Sequence, residues 1–175
     1  MRIGQLRPHH RARLGELLVG TGAFNADEVA VALALFDAGQ AAGDPGAAGA
    51  IDAPTDYEFV GAFEEEHLVG YACFGATPAT DGTYDLYWLA VDPALQGRGI
   101  GRALVRDVEA TLIARGGRLL VVETSSRPDY AGTRQFYARS GYAEAARVRD
   151  FYAPADDRIL LTTRLTTRDG GAATR

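Results

Sequence analysis

The sequence predicts a mixed α+β fold in which helices flank a β-sheet. Apolar residues recur at helical spacing over the first 38 residues, and they alternate with a period of two from residue 57 onward. A strand, a helix and a second strand then follow one another between residues 84 and 124. Such a unit forms a right-handed crossover, which places its two strands parallel. The sheet is therefore expected to combine antiparallel hairpins with a parallel pair.

The N-terminal part of the chain, residues 3–38, is predicted to form two helices. The second helix follows the stretch "TGAFNADE". Asn25 or Asp27 is expected to cap it, because short polar side chains accept hydrogen bonds from the free N–H groups of a first turn. Glu28 lies in that first turn, where a negative charge is favourable.

Residues 38–56, "AGQAAGDPGAAGAIDAPTD", are predicted to form a mobile loop. The segment consists mainly of Ala, Gly, Asp and Pro, and it buries too little apolar surface to offset the entropy cost of ordering. A loop of this length inside a domain is either a functional lid or a tolerated insertion. The sequence does not distinguish the two.

The elements after residue 56 are predicted from short patterns. "YEFVGAF" and "LVGYACFG", joined by "EEEH", indicate a β-hairpin, and "YDLYWLAV" indicates a buried strand. "RALVRDVEATLIA" is an amphipathic helix that stops at Gly116 and Gly117, and "RLLVVET" is a second buried strand. A short helix in "GTRQFYARSG" and a final strand in "RILLTTRL" follow. We expect a single domain over residues 1–168 and a frayed tail over residues 169–175.

Composition excludes several classes of protein. The chain has 175 residues, of which 47% are hydrophobic and 23% charged, as in globular proteins in general. No apolar run is long enough to span a membrane, and charges near the N-terminus argue against a signal peptide, so we expect a cytoplasmic protein. A net charge of −5 argues against nucleic-acid partners. One cysteine, Cys73, and histidines without ligand spacing predict no metal site.

The stretch "QGRGIG", residues 96–101, lies between a predicted strand and a predicted helix. Its glycines allow positive φ angles and a close approach to the main chain, while the N–H groups of the first helical turn attract anions. Arg98 and Arg102 can add charge-assisted contacts. The spacing matches neither the dinucleotide fingerprint nor a P-loop. We therefore expect a phosphate site of another kind, the alternative being a tight turn without a ligand.

The longer stretch "LAVDPALQGRGIGRALV" resembles the coenzyme-A signature of the GNAT acetyltransferases. That signature reads Gln or Arg, two residues, Gly, any residue, then Gly or Ala, and Gln96, Gly99 and Gly101 fill its positions. The downstream segments "VVETSS" and "FYARSGY" are similar to the family's second coenzyme-A region. The resemblance spans residues 57–165, whereas the first 56 residues match only in being helical.

The resemblance implies the GNAT fold, a mixed, largely antiparallel sheet with a central parallel pair of splayed strands flanked by helices. It implies acetyl-CoA as cosubstrate. It further implies that the main chain of Leu89, Ala90 and Val91 pairs with the pantetheine arm, as an added strand would. The pyrophosphate would be held by the glycine stretch and its neighbours, namely Gln96, Gly97, Arg98, Gly99, Ile100, Gly101 and Arg102.

The resemblance also assigns catalytic candidates. Tyr137 matches the tyrosine that acts as acid in many members, and a phenol can donate a proton to a departing thiolate; its alternative role is core packing. Glu123 matches a strand glutamate that serves as base in some members, directly or through water. The alternative for Glu123 is an ion pair with Arg127 or Arg134, and Asp85 on the other central strand is the competing base.

The resemblance implies an oxyanion donor, and the sequence departs from the family pattern at one position. The amide N–H of Ala90 or Val91 is the expected oxyanion donor. Tyr130 stands where many members carry an asparagine that contacts the coenzyme, so Ser125 or Arg134 is expected to substitute.

The acceptor is the least determined partner. Aromatic residues near the expected site, together with Asp156 and Asp157, suit a cationic amine; these aromatics are Tyr84, Tyr87, Trp88, Tyr142, Phe151 and Tyr152. We expect an N-acetyltransferase that moves acetyl from acetyl-CoA to a primary amine of a small molecule or peptide in a ternary complex. A non-catalytic acyl-CoA sensor and a nucleotide-binding domain with an atypical glycine turn are the alternatives. The sequence is compatible with a homodimer and does not specify the oligomeric state.

Overall fold

A seven-stranded sheet is the centre of the structure, a computed structural model that describes residues 1–42 and 57–166. Its strands are β1 (Arg2–Gln5), β2 (Tyr57–Glu64), β3 (His67–Ala76), β4 (Thr83–Val91), β5 (Leu119–Ser125), β6 (Ala143–Ala153) and β7 (Asp156–Arg164). The strand order is β1-β2-β3-β4-β5-β7-β6. Strands β4 and β5 run parallel, and all other neighbours in the described part of the chain are antiparallel. The predicted α+β class and the parallel crossover are confirmed.

Helices cover both faces of this sheet. They are α1 (Arg11–Thr21), α2 (Ala26–Ala42), α3 (Ile100–Ala114) and α4 (Ala131–Arg139). Because side chains alternate along a strand, Tyr71 of β3 packs into a core with α1 and α2, whereas Ala72 and Phe74 pack into a core with α3 and α4. Within the described residues, no helix is long and apolar enough to cross a membrane.

The predicted start of the second helix is confirmed in detail. Asn25 Oδ1 accepts from the Glu28 N–H at 2.9 Å, and Glu28 Oε2 accepts from the Asn25 N–H at 2.8 Å. This reciprocal pair is a capping box, so Asn25 rather than Asp27 is the cap. The predicted hairpin is β2–β3, which turns at Glu65 and Glu66.

Two expectations for the N-terminal region are wrong. Residues 2–5, expected within the helical region, form strand β1, in which Ile3 lies opposite Ala62 of β2. This pairing is non-local, and four residues are too few to give a periodic signal. Helix α2 continues to Ala42 although the loop was expected from residue 38, because alanine favours a helix. Residues 43–56 of that loop and the expected tail 169–175 lie outside the described residues.

Strand β6 was not predicted, because no strand was expected between the short helix and the final strand. All of its residues are exposed, so its sequence has no alternation between apolar and polar positions. Its register with β7 is interrupted between Val148 and Ala153, and Asp150 within this interruption has φ +53°. The interruption carries Phe151 and Tyr152 outward, where they are 49% and 45% exposed.

Candidate active site

Strands β4 and β5 separate at the centre of the sheet. They pair over four positions, from Thr83 opposite Leu119 to Leu86 opposite Val122, and not beyond. On the other side of β4, Tyr87 is an extra residue, since Leu86 and Trp88 lie opposite consecutive residues of β3. Such a bulge bends its strand and increases the twist. The opening between residues 87–91 of β4 and 123–125 of β5 is called the wedge below.

The main chain of β4 presents hydrogen-bonding groups to the wedge. The Asp92 N–H donates to the Val69 carbonyl at 2.9 Å, and Ala90 lies opposite Tyr71. In an antiparallel pair successive residues point alternately toward and away from the partner strand. The groups of Ala90 are therefore directed at β3, whereas those of Leu89 and Val91 are directed at the wedge. Of the two amides expected to act as oxyanion donors, only that of Val91 faces the wedge.

The glycine stretch leads from β4 into α3. Gly97 and Gly99 have φ +79° and +84°, in the left-handed region that favours glycine, and Gly99 is the N-cap of α3. A Cβ built on either glycine meets no atom within 4 Å, so packing is not the reason for these glycines. The first intrahelical bond runs from the Ala103 N–H to the Gly99 carbonyl at 3.0 Å. The N–H groups before Ala103 are free of such bonds and form an open anion cradle.

The side chains around this cradle differ in their interactions and in their exposure to solvent. Arg98 forms an ion pair with Glu64 at 3.2 Å, and Gln96 and Arg102 are exposed. Ile100 is 2% exposed and anchors the helix start in the core. The expected pyrophosphate contacts, residues 96–102, are thus contiguous with the wedge.

Tyr137 lies on α4, which packs against both sides of the wedge. A Cβ built on Gly101 would lie 3.5 Å from the Phe136 ring and 3.6 Å from Val91 Cγ2, so α4, the start of α3 and the end of β4 meet there. Tyr137 is 4% exposed, and its ring contacts those of Phe136 and Tyr142. Burial raises the pKa of the Tyr137 phenol above its ordinary value, so the group stays protonated at neutral pH. Both roles considered for Tyr137, acid and core packing, are compatible with this position.

Glu123 lies on the β5 side of the wedge and is 40% exposed. The Tyr152 hydroxyl donates to Oε1, and Arg158 forms an ion pair with Oε2. The arginine that pairs with Glu123 is thus Arg158, and neither Arg127 nor Arg134. The pKa of the Tyr152 phenol is raised, mainly by burial and secondly by its hydrogen bond to the Glu123 carboxylate. Both oxygens of the candidate base are therefore occupied by protein donors.

The remaining predicted residues are placed as follows. Asp85 lies in the paired part of β4, and its carboxylate accepts from the Thr77 hydroxyl at 2.5 Å. Arg134 Nη1 donates to the carbonyls of Ser125, at 2.7 Å, and Arg127, at 2.9 Å. Arg134 therefore ties α4 to the end of β5.

The aspartates expected to attract a cationic amine are already engaged. Asp156 is 8% exposed and accepts from the Ser125 hydroxyl. Asp157 pairs with Arg147 at 3.0 Å, and this hydrogen bond lowers the pKa of Asp157. We therefore find no free acidic pair at these positions. Of the aromatics named above, Tyr87, Phe151 and Tyr152 are substantially exposed.

Three features of the site carry no signal in the sequence. The Tyr130 hydroxyl donates to the Ala23 carbonyl at 2.8 Å, which ties the α1–α2 turn to the segment before α4. Tyr152 and Arg158 reach Glu123 from β6 and β7. The Thr124 hydroxyl, beside Glu123, is buried without a hydrogen-bond partner among the described residues. Each depends on side chains that are distant in the chain or on the β5–β7 register.

The described residues also form a cleft away from the wedge. A cleft of about 310 Å³ lies between β1, β2 and α3, and it includes neither Glu123 nor Tyr137. The wedge, unlike this cleft, has both proton-transfer candidates, Tyr137 and Glu123, beside it. Residues 1–42 and 57–166 contain no group of three His, Cys, Asp or Glu side chains placed to bind a metal ion.

Comparisons with known proteins agree with this geometry. The sequence profile of the Acetyltransferase (GNAT) family matches residues 33–142. An N-alpha-acetyltransferase RimI from Mycobacterium tuberculosis is 38% identical over 97 residues. That alignment covers 54% of this chain and 57% of the relative, so the chain matches little more than half the length of this curated protein.

Solved structures extend the similarity over most of the chain. A GNAT-family protein from Desulfovibrio desulfuricans superposes with a TM-score of 0.84 at 37% identity, covering 94% of this chain and 99% of the other. An aminoglycoside 6′-N-acetyltransferase complexed with coenzyme A gives a TM-score of 0.70 at 17% identity and covers 97% and 99%. The latter similarity supports the fold alone.

Proposed function

Because this chain belongs to the GNAT acetyltransferase family, we propose that it transfers an acetyl group from acetyl-CoA to a primary amine. The observation that carries the proposal is the wedge, where Leu89 and Val91 of β4 pair with no strand on the β5 side within the described residues, and which continues into the glycine cradle at the start of α3. An extended amide-containing ligand that ends in a pyrophosphate suits both parts. The buried Thr124 hydroxyl, which has no hydrogen-bond partner among the described residues, is a further polar group near the wedge with which a ligand could form a hydrogen bond.

The donor would be held mainly by the main chain. Leu89 and Val91 would bond the pantetheine amides as an added strand does, and the cradle of residues 97–102 would bond the pyrophosphate. The open space at Gly97 and Gly99 supports this fit, because it leaves room for a phosphate beside the main chain. When bound, acetyl-CoA supplies an activated acetyl thioester. The Val91 amide would then donate to the thioester oxygen as negative charge develops on it.

Proton transfers would be carried out by Tyr137 and Glu123. The amine nitrogen bonds to the acetyl carbon while the carbon–sulfur bond breaks, and the Tyr137 phenol donates its proton to the departing sulfur. The raised pKa of Tyr137 keeps that proton available. Glu123 would accept the proton lost by the amine, through a water molecule, because Tyr152 and Arg158 occupy its oxygens. Asp85 is less suited, since it lies in the paired region and is bonded to Thr77.

For the acceptor, we favour the α-amino group of a peptide over a small-molecule amine. The relative named for Nα-acetylation supports this choice, whereas the aminoglycoside enzyme shares only the fold. Tyr87, Phe151 and Tyr152 are exposed near the two strands that form the wedge and could contact side chains of a peptide. The proposal implies a cytoplasmic location, where acetyl-CoA and newly made proteins occur together.

The proposal is tested by thiol release from acetyl-CoA with peptides of varied N-terminal residue and with small amines. Tyr137→Phe should lower kcat by about 10²–10⁴ with little change in the KM for acetyl-CoA, the usual size of a general-acid effect. Tyr84→Phe, at the paired end of β4, is the matched control and should stay active. Full activity of Tyr137→Phe would refute the assigned acid.

A second candidate is a non-catalytic acyl-CoA sensor, and the engagement of both Glu123 oxygens favours it. The two candidates differ in one measurement. A sensor would bind acetyl-CoA tightly and release no thiol with any acceptor of the panel.

A further inference from the structure

The end of α1 and the α1–α2 turn, residues 20–25, lie across the carboxyl end of the wedge. A Cβ built on Gly20 would lie 3.8 Å from Pro93 Cδ, just beyond the end of β4. The Ala23 carbonyl accepts the 2.8 Å hydrogen bond from the Tyr130 hydroxyl, beyond the end of β5. Because β4 and β5 are the two strands that form the wedge, this segment reaches from one side of the wedge to the other.

The two sides of this segment are held unequally. On the β4 side, Arg13 of α1 forms an ion pair with Asp92 and donates to the Leu68 carbonyl at 3.1 Å. On the β5 side, the Tyr130 hydroxyl bonds to an exposed carbonyl of the turn. An ion pair combined with a second hydrogen bond holds more strongly than one hydrogen bond between neutral groups. Loss of the Tyr130 hydroxyl should therefore release the turn at β5 while α1 stays fixed at β4.

The surroundings of Tyr130 keep its hydroxyl directed at the turn. The ring is half-buried, and the Arg127 guanidinium carbon lies 5.8 Å from the ring centroid. Arg127 is itself held by an ion pair with Asp129. Burial, and secondly the charge of Glu28, raise the pKa of the Tyr130 phenol, so the hydroxyl stays a hydrogen-bond donor at neutral pH.

The turn lies on the face of the sheet that the donor leaves open. The cradle for the donor is at the start of α3, which packs against one face, whereas α1, α2 and Trp88 of β4 share the opposite face. In a ternary complex the amine must reach the thioester from a direction that the donor does not occupy. We propose that Tyr130 is a positioning residue for the acceptor, because it holds the α1–α2 turn as one wall of the acceptor's entry to the wedge. This inference rests on the proposed function and extends it to acceptor binding.

The test uses Tyr130→Phe, which removes the hydroxyl and keeps the ring beside Arg127. The amides of Gly22 and Asn25 are hydrogen-bonded within the turn, so their hydrogen exchange reports its opening. We expect the turn amides of the variant to exchange about 2–10 times faster, the factor expected for the loss of one hydrogen bond, and the rest of the protein to exchange at the wild-type rate. The KM for the peptide that the wild type acetylates best should rise by a similar factor. The KM for acetyl-CoA should stay unchanged.

Tyr84→Phe is the matched control, because it removes the same hydroxyl at a distance from the turn. The Tyr84 ring lies beside Gly117, just after the end of α3, since a Cβ built on Gly117 would lie 3.1 Å from Tyr84 Cε2. This variant should keep the wild-type exchange rates of the turn and both KM values.

The measurements separate the role of Tyr130 from the proposed function. Unchanged exchange of the turn in Tyr130→Phe would overturn the inference, and so would faster exchange with an unchanged KM for the peptide. A rise in the KM for acetyl-CoA alone would also overturn it, because Tyr130 would then act on the donor. All three results leave the proposed function intact. Absence of thiol release by the wild-type protein with every amine would overturn the proposed function, and the acceptor role with it.

Discussion

The two ends of helix α3 offer a matched pair of substitutions that separates stability from ligand binding. Gly99 precedes the helix with φ +84°, and Gly116 follows it with φ +79°. A Cβ built on either residue meets no atom within 4 Å. Gly99→Ala and Gly116→Ala therefore introduce the same backbone strain without a steric clash. Helix α3 has 15 residues and is about 22 Å long at 1.5 Å per residue, so the full length of the helix separates the two sites.

The expected loss of stability is similar for the two variants. A left-handed conformation costs an alanine about 1–2 kcal/mol, and no cavity or clash adds to it. For a chain of this length each kcal/mol lowers the Tm by about 2–4 °C, so both variants should melt about 2–8 °C below the wild type. Thermal unfolding followed by circular dichroism measures this shift.

Binding of acetyl-CoA should distinguish the two variants. Gly99 is the N-cap of α3, directly before the N–H groups of the anion cradle, so we expect the methyl group and the backbone strain of Gly99→Ala to raise the Kd at least about tenfold, or 1.4 kcal/mol. Gly116→Ala is remote from the cradle and should keep the wild-type Kd. Equal Kd values for both variants would refute the assignment of the cradle, and an unchanged Tm in both would refute the backbone argument.

Two further predictions concern buried tyrosines. Tyr71 is completely buried, and its hydroxyl has no hydrogen-bond partner among the described residues. Tyr71→Phe should therefore leave the free energy of unfolding unchanged or raise it by up to about 1 kcal/mol, and a loss above that in urea titration would reveal a missed partner. Burial is the largest cause that raises the pKa of Tyr71, Tyr137 and Tyr142. The folded state then keeps these protons when the unfolded chain has lost them, so stability should fall above about pH 10, by up to about 1.4 kcal/mol per pH unit for each tyrosine. Phenol absorbance should report their ionisation only upon unfolding, and ordinary titration of all eight tyrosines in the native protein would contradict this.

The sequence was most informative where a local pattern determines structure. The Asn25 cap, the β2–β3 hairpin and the strand–helix–strand crossover each depend on residues close in the chain. The positive φ angles of Gly97 and Gly99 were likewise implied by the glycine spacing. These features could be predicted because their physical causes act over a few residues.

Features that depend on distant partners were not predictable. Strand β1 exists because β2 offers it an edge, more than 50 residues later. Strand β6 is exposed on both faces and therefore lacks the alternation that marks a strand. Glu123 was predicted as a candidate base, but its partners Tyr152 and Arg158 follow from the β5–β7 register. Nothing in one sequence specifies that register.

The extra residue at Tyr87 also explains the spacing of the β4 side chains that face the α3 core. Before it, Leu86 packs toward α3, and after it Leu89 and Val91 do so, an interval that an unbroken strand would not allow. The bulge thus shifts the phase of the strand by one residue. Deleting Tyr87 would make Leu86 and Trp88 consecutive residues of a regular strand, so Leu89 and Val91 would still face α3 and Trp88 and Ala90 would still face α1 and α2. The extra residue can therefore be removed without exchanging the two faces of β4, and what its deletion would remove is the bend that the bulge introduces beside the wedge.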